Sequence, residues 1–144
     1  MSGYADTSFL VSIYTLDSNS PAAIAAMRTG ALPLLLTPLG ENELVNTIYL
    51  RVFRRELQMT QAHSALGIFR NDVSDGMFQR KPLIPAVLEK AQLLSRKQTP
   101  RLGTRGINVL HVASALVWGA SEMYTFDKTQ RKLAEAEGLR VVPR

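Results

Sequence analysis

The apolar positions of this chain come in short blocks separated by polar, Gly- or Pro-containing joints. Residues 3–6 predict a brief strand that ends on Asp6. Asp6-Thr7-Ser8 then offers side-chain oxygens to the orphan N–H groups of a helix through Phe9, Leu10, Ile13 and Tyr14. Ser20-Pro21 opens a second helix, with Ser as N-cap and Pro at the first helical position; it runs from Ala22 to Met27 and stops near Gly30. Leu34-Leu35-Leu36-Thr37 is a continuous apolar run before Pro38, as expected of a strand buried on both faces. A long helix is predicted from Glu41 to Leu57, with Leu44, Ile48 and Val52 at i, i+4 spacing and Arg55 or Glu56 next on that side. Thr60 caps the following helix, which puts Ala62, Leu66, Phe69 and Val73 on one face. Phe78 to Ile84, interrupted by Pro82, reads as extended or looped. Pro85 opens a helix through Val87, Leu88, Ala91 and Leu94 that ends in Ser95-Arg96-Lys97.

The stretch from Gly103 to Asp127 organises the rest. A Gly-bracketed loop feeds a helix that is apolar almost all round, and such a helix is normally buried in the centre of a domain. Its first turn carries Asn108, with His111 one turn further on. A strand at Glu122 to Phe126 leads to Asp127, a terminal helix runs from Lys128 to Ala136, and Arg140-Val141-Val142 is a last short strand. Short apolar strands alternating with helices predict an α/β fold, a central parallel sheet covered on both faces in three layers. Ligands of such sheets bind beyond the carboxyl ends of the strands. Asp6, the Thr37–Glu43 segment and Asp127 all fall at or just past predicted strand ends, so one site can hold all three. No repeat, linker or low-complexity segment divides residues 1–144, which read as one domain.

Composition narrows the chemistry. There is no cysteine and there are two histidines, His63 and His111. This removes disulfides and thiolate metal sites, argues against zinc, and fits a reducing, cytoplasmic compartment. The N-terminal residues lack a signal-peptide pattern, and no apolar run approaches the ~20 residues that span a bilayer. The net charge of +5 is uneven: residues 1–50 carry −3 and residues 51–144 carry +8. An acidic minority within a basic protein suits a polyanion ligand that also needs a cation bridge. Solvated basic helix faces explain the charge equally well.

Each candidate residue also has a purely structural reading. Asp6 is a natural helix N-cap. Asp127-Lys128-Thr129-Gln130 fits a capping box with Gln130 reaching back. Glu43 suits the dipole at a helix start, and Asn108 can cap the central helix. His111 reads as a hydrogen-bonded packing residue.

Taken together, these segments resemble the PIN domain, and most closely the VapC-type toxins of toxin–antitoxin pairs. The likeness rests on Tyr4-Ala5-Asp6-Thr7-Ser8-Phe9-Leu10, Glu43-Leu44-Val45-Asn46, the run from Asn108 to Leu116, and Thr125-Phe126-Asp127-Lys128-Thr129-Gln130, in that order. It implies hydrolysis of RNA phosphodiesters at an acidic cluster that binds Mg²⁺ or Mn²⁺. Asp6, Glu43 and Asp127 map onto the acidic positions, and Asn108 stands where the family has Asp. Hard divalent cations prefer such oxygen ligands. Thr7, Ser8 and Thr125 are expected to hold waters or orient the carboxylates, and Arg105 and Lys128 to contact phosphate, with surface solvation as their alternative. The resemblance also implies a small antitoxin partner, for which the helices from Glu41 to Met77 with Tyr49, Phe53, Phe69 and Phe78 are candidates, and a homodimer.

Asn108 departs from that pattern. An amide oxygen can ligate a metal but brings no charge, and it cannot act as a base toward water. Three explanations stay open: a natural variant of reduced activity, a non-catalytic PIN-fold module that binds RNA or protein, or a deliberate substitution that disarms a toxic nuclease. The close match around Asn108 favours an otherwise functional nuclease changed at one position.

Overall fold

A computed structural model describes residues 2–144. The chain runs β1 (Gly3–Ala5), α1 (Thr7–Tyr14), α2 (Ser20–Thr29), β2 (Leu34–Leu36), α3 (Pro38–Phe53), α4 (Met59–Ser74), β3 (Phe78–Arg80), α5 (Pro85–Leu102), α6 (Gly106–Val117), β4 (Glu122–Tyr124), α7 (Lys128–Ala136) and β5 (Arg140–Val142). All pairings are parallel, in the order β3-β2-β1-β4-β5. Tyr4 stands opposite Leu35 on one side and Met123 on the other.

Successive strand residues face opposite sides of a sheet, which is why the central β1 and β2 are buried throughout without polar alternation. Leu34, Leu36 and Tyr124 pack with Phe9, Leu44, Ile48 and Phe69 under α1–α4. Tyr4, Leu35 and Met123 pack with Val87, Val112 and Leu133 under α5–α7. The result is the three-layer α/β/α arrangement expected from the sequence. Gly3 is needed for close approach, since a Cβ there would stand 2.4 Å from Cε1 of Tyr124.

Several element boundaries differ from expectation. The third helix starts at Pro38, not Glu41, because Pro38 supplies the first-turn residue that needs no N–H bond. It ends at Phe53, short of Leu57, and Arg55 takes a left-handed φ of 60°. The segment read as extended or looped is both: Phe78–Arg80 forms strand β3 against β2, with only Phe78 buried, and residues 81–84 are a connection. The fifth helix continues five residues past Lys97, through Pro100, and stops at the left-handed Gly103. Gln98 explains the extension: it is 2% exposed and its Nε2 donates to Glu137 across the fold. Gln58, not Thr60, caps α4, where the Gln61 side chain accepts from the Gln58 N–H at 2.8 Å. The Glu122 strand stops at Tyr124, two residues early. Among the described residues no helix is long and apolar enough to cross a membrane.

Candidate functional site

The strand order reverses direction between β1 and β4, and the carboxyl ends of such neighbours frame a crevice. Asp6 follows β1, Thr37 follows β2 and Thr125 follows β4. Asp6 is extended (φ −84°, ψ 176°) and caps α1. Its carboxylate is 3% exposed and accepts three hydrogen bonds. Oδ1 accepts from Ser8 Oγ at 2.6 Å and from the Phe9 N–H at 3.0 Å, and Oδ2 accepts from Thr125 Oγ1 at 2.5 Å. Burial pushes the Asp6 carboxyl above its ordinary pKa, and nearby His111 together with these three donors only partly counters the shift.

Thr125 joins Asp6 to Asp127. Its hydroxyl, fully buried, also accepts from the Asp127 N–H at 3.0 Å. The Phe126 N–H donates to Ser8 Oγ at 2.9 Å, so the loop after β4 is stitched to the start of α1. Asp127 is exposed; its Oδ1 caps α7 through the Gln130 N–H at 2.9 Å.

Glu43, in the second turn of α3, is held from two other elements. Its Oε1 accepts from Thr7 Oγ1 at 2.5 Å and from His111 Nε2 at 2.6 Å. Partial burial raises the Glu43 pKa, but the bonds from His111 and Thr7 outweigh it and leave the carboxyl below its ordinary value. His111 is hydrogen-bonded as the sequence suggested, yet its partner is a candidate site residue and not simply core backbone. Its Nδ1 lies 2.7 Å from the Tyr4 hydroxyl, which in turn lies 3.2 Å from Thr37 Oγ1. Sequence reasoning placed the segment starting at Thr37 in the site without giving Thr37 a role, and it passed over Tyr4, which read only as apolar strand.

Asn108 helps cap the central helix from its third position, not as the N-cap residue itself. Arg105 holds the N-cap position and Asn108 is three residues inside. Asn108 Oδ1 is a long 3.4 Å from the Arg105 N–H, and Nδ2 donates to Gln130 Oε1 at 2.7 Å. Gln130 therefore does not reach back to Asp127 as the capping-box reading had it. It is fully buried and binds Asn108, leaving its own Nε2 without a partner. Arg105 and Lys128 are exposed at the starts of α6 and α7, and neither forms an ion pair among the described residues.

Among the described residues no three His, Asp or Glu side chains stand close enough together to form a metal-holding group. The donor chemistry nevertheless suits a hard divalent ion. Asp6 Oδ2 carries a single donor, and among the described residues nothing donates to Glu43 Oε2 or Asp127 Oδ2. These are carboxylate oxygens with lone pairs to spare. Both nitrogens of His111 are committed, which leaves an all-oxygen set.

No family model matches this sequence, and no curated protein matches it either. The fold does have a solved counterpart. The chain is similar to the crystal structure of Mycobacterium tuberculosis VapC20, a sarcin–ricin loop cleaving toxin, and shares its fold. The TM-score is 0.73 at 17% identity, over 99% of this chain and 100% of that one.

Proposed function

We propose that this protein is an endoribonuclease toxin of the VapC kind, a single PIN domain that hydrolyses RNA phosphodiesters with Mg²⁺ or Mn²⁺ held by Asp6, Glu43, Asn108 and Asp127. The observation that carries the reading is Asp6. A carboxylate buried at the sheet's switch point keeps three donors yet is destabilised in its charged form, and a bound cation is what would offset that cost. When bound, such a cation supplies an acidified water and neutralises charge on the leaving oxygen. The chain's own residues prepare the place. Ser8 and Thr125 fix Asp6, Thr7 fixes one oxygen of Glu43, and Asp127 lies at the exposed rim. Asn108 contributes an oxygen without charge, so metal attraction is weaker here than with a fourth carboxylate. Arg105 and Lys128 flank the crevice as contacts for RNA phosphates, which position a substrate without reading its sequence.

The reading includes a small antitoxin, a homodimer and a cytoplasmic setting. Tyr49 and Phe53 on α3 suit the antitoxin, being 37% and 83% exposed, whereas Phe69 and Phe78 belong to the core. Because VapC20 cleaves the sarcin–ricin loop, an RNA carrying that loop is the first substrate to try. Asp6→Ala in an Asn108→Asp background should abolish metal-dependent cleavage of it. Cleavage that survives Asp6→Ala would refute the site assignment.

A further inference from the structure

The helix α6 carries one titratable side chain, His111, among Gly, Ile, Asn, Val, Leu, Ala and Ser. A ring of that size could simply fill the core, and it does pack edge-on against Tyr4 with centroids 5.7 Å apart. Its hydrogen bonding is more specific than filling requires. Its side chain is 4% exposed, and each nitrogen has a directional partner from a different element, Tyr4 of β1 and Glu43 of α3. A carboxylate oxygen only accepts, so at 2.6 Å Nε2 carries a proton toward Glu43 Oε1. Nδ1 pairs with the Tyr4 hydroxyl at 2.7 Å, and that hydroxyl, whose ionisation burial suppresses, also meets Thr37 Oγ1 at 3.2 Å. The contacts form one chain from Thr37 through Tyr4 and His111 to Glu43, with the Thr7 hydroxyl donating to the same Oε1.

We propose that His111 is a positioning residue: anchored by Tyr4, it saturates Glu43 Oε1 together with Thr7 and so presents Oε2 as the cation-binding oxygen. This rests on the reading of Glu43 as a cation ligand given above. A Glu side chain has three rotatable bonds, and a partly exposed one otherwise samples many rotamers. Here Glu43 is 27% exposed at its side chain but tied through Oε1 from both sides. Partners of this kind, one bond removed from a metal, typically carry about 10–100-fold in affinity. Because both ring nitrogens are occupied, His111 is not itself a ligand.

The test is Mn²⁺ titration by calorimetry, on the chain as it stands and on its Asn108→Asp form; whichever binds serves as reference. His111→Leu keeps much of the volume and loses the donor, and should weaken Mn²⁺ binding about 10-fold, or about 1.4 kcal/mol. His111→Gln can still offer an amide N–H to Glu43 and should recover most of that loss. In a Glu43→Ala background the His111→Leu change should cost nothing further, because its effect passes through Glu43. Wild-type affinity in His111→Leu overturns the proposal and leaves His111 as a core residue. An undiminished His111→Leu penalty in the Glu43→Ala background overturns it too, as does His111→Gln no better than His111→Leu. Absence of Mn²⁺ binding in both reference forms overturns the cation-site reading, and this proposal falls with it. Should His111→Leu not give a cooperative melt, the His111→Gln and Tyr4→Phe forms carry the decision: Tyr4→Phe frees the ring from its anchor and should weaken Mn²⁺ measurably, and unchanged affinity there overturns the proposal.

Discussion

Replacing Asp6 by Asn should make the metal-free protein more stable while removing its function. The carboxylate is 3% exposed and accepts from Ser8, Phe9 and Thr125. Asn keeps Oδ1 for the Ser8 hydroxyl and the Phe9 N–H, and the Thr125 hydroxyl can rotate to accept from the new amide. Three charge-assisted bonds become neutral ones, at a loss of roughly 1 kcal/mol each. Against that stands the effective penalty of several kcal/mol for burying an ion. The sign is set by the carboxyl itself: burial raises its pKa beyond what His111 and all three donors recover. The net should be a gain of about 1–2 kcal/mol, or about 3–8 °C in melting temperature for a chain of this length. A group with a raised folded pKa contributes most below its unfolded value, about 3.9 for Asp, and progressively less as pH rises through the folded value. The advantage of Asp6→Asn should therefore be full at pH 8 and shrink on acidification. The assay is thermal unfolding with chelator across that range. An Asp6→Asn protein that melts below wild type at pH 8 would refute the claim that this carboxylate is retained against stability.

Glu43→Gln should behave with the opposite sign. The folded Glu43 pKa is lowered, so its contribution is present above the unfolded value, about 4.3, and is lost as pH falls through the folded one; the stability gap to Glu43→Gln should close on acidification. Thr125→Val preserves shape but strips Asp6 Oδ2 and the Asp127 N–H of their common partner, and should cost about 2–4 kcal/mol in urea unfolding; a loss under 0.5 kcal/mol would contradict the network. Gly3→Ala would push a Cβ to 2.4 Å from Tyr124 and 3.0 Å from Leu34, and should cost about 1–3 kcal/mol, much of it relieved when Tyr124 is shortened to Leu.

The layout was legible because its signals are local. Asp6 and Asp127 cap the helices that follow them, Pro85 starts α5, and the apolar strands have no polar alternation because both faces are covered. What escaped depended on distant partners. The end of strand β3 is one case: the strand buries only Phe78 and exists through its backbone pairing with β2, which leaves little mark in side-chain pattern. The polar end of α5 looked like a terminus because Gln98 meets Glu137, 39 residues away. Asp6, Thr125 and Asp127 sit at strand ends, where sequence places chemistry in this class of sheet. The links from His111 to Glu43 across 68 residues, and from Asn108 to Gln130 across 22, are side-chain choices that periodicity does not encode. Gln130 with its orphaned Nε2 is the clearest case: as a helix residue it was expected to turn toward Asp127, but the neutral amide at 108 supplies the nearer donor.

The most direct measurement is cleavage of a structured RNA containing a sarcin–ricin loop by this protein and by its Asn108→Asp form, each with Mn²⁺ and each with chelator. Metal-dependent cleavage should be gained or strongly increased by Asp at position 108 and abolished by chelator. Cleavage that persists undiminished in chelator, or none by the Asn108→Asp form when Mn²⁺ is demonstrably bound, would contradict a metal-dependent ribonuclease built on Asp6, Glu43 and Asp127.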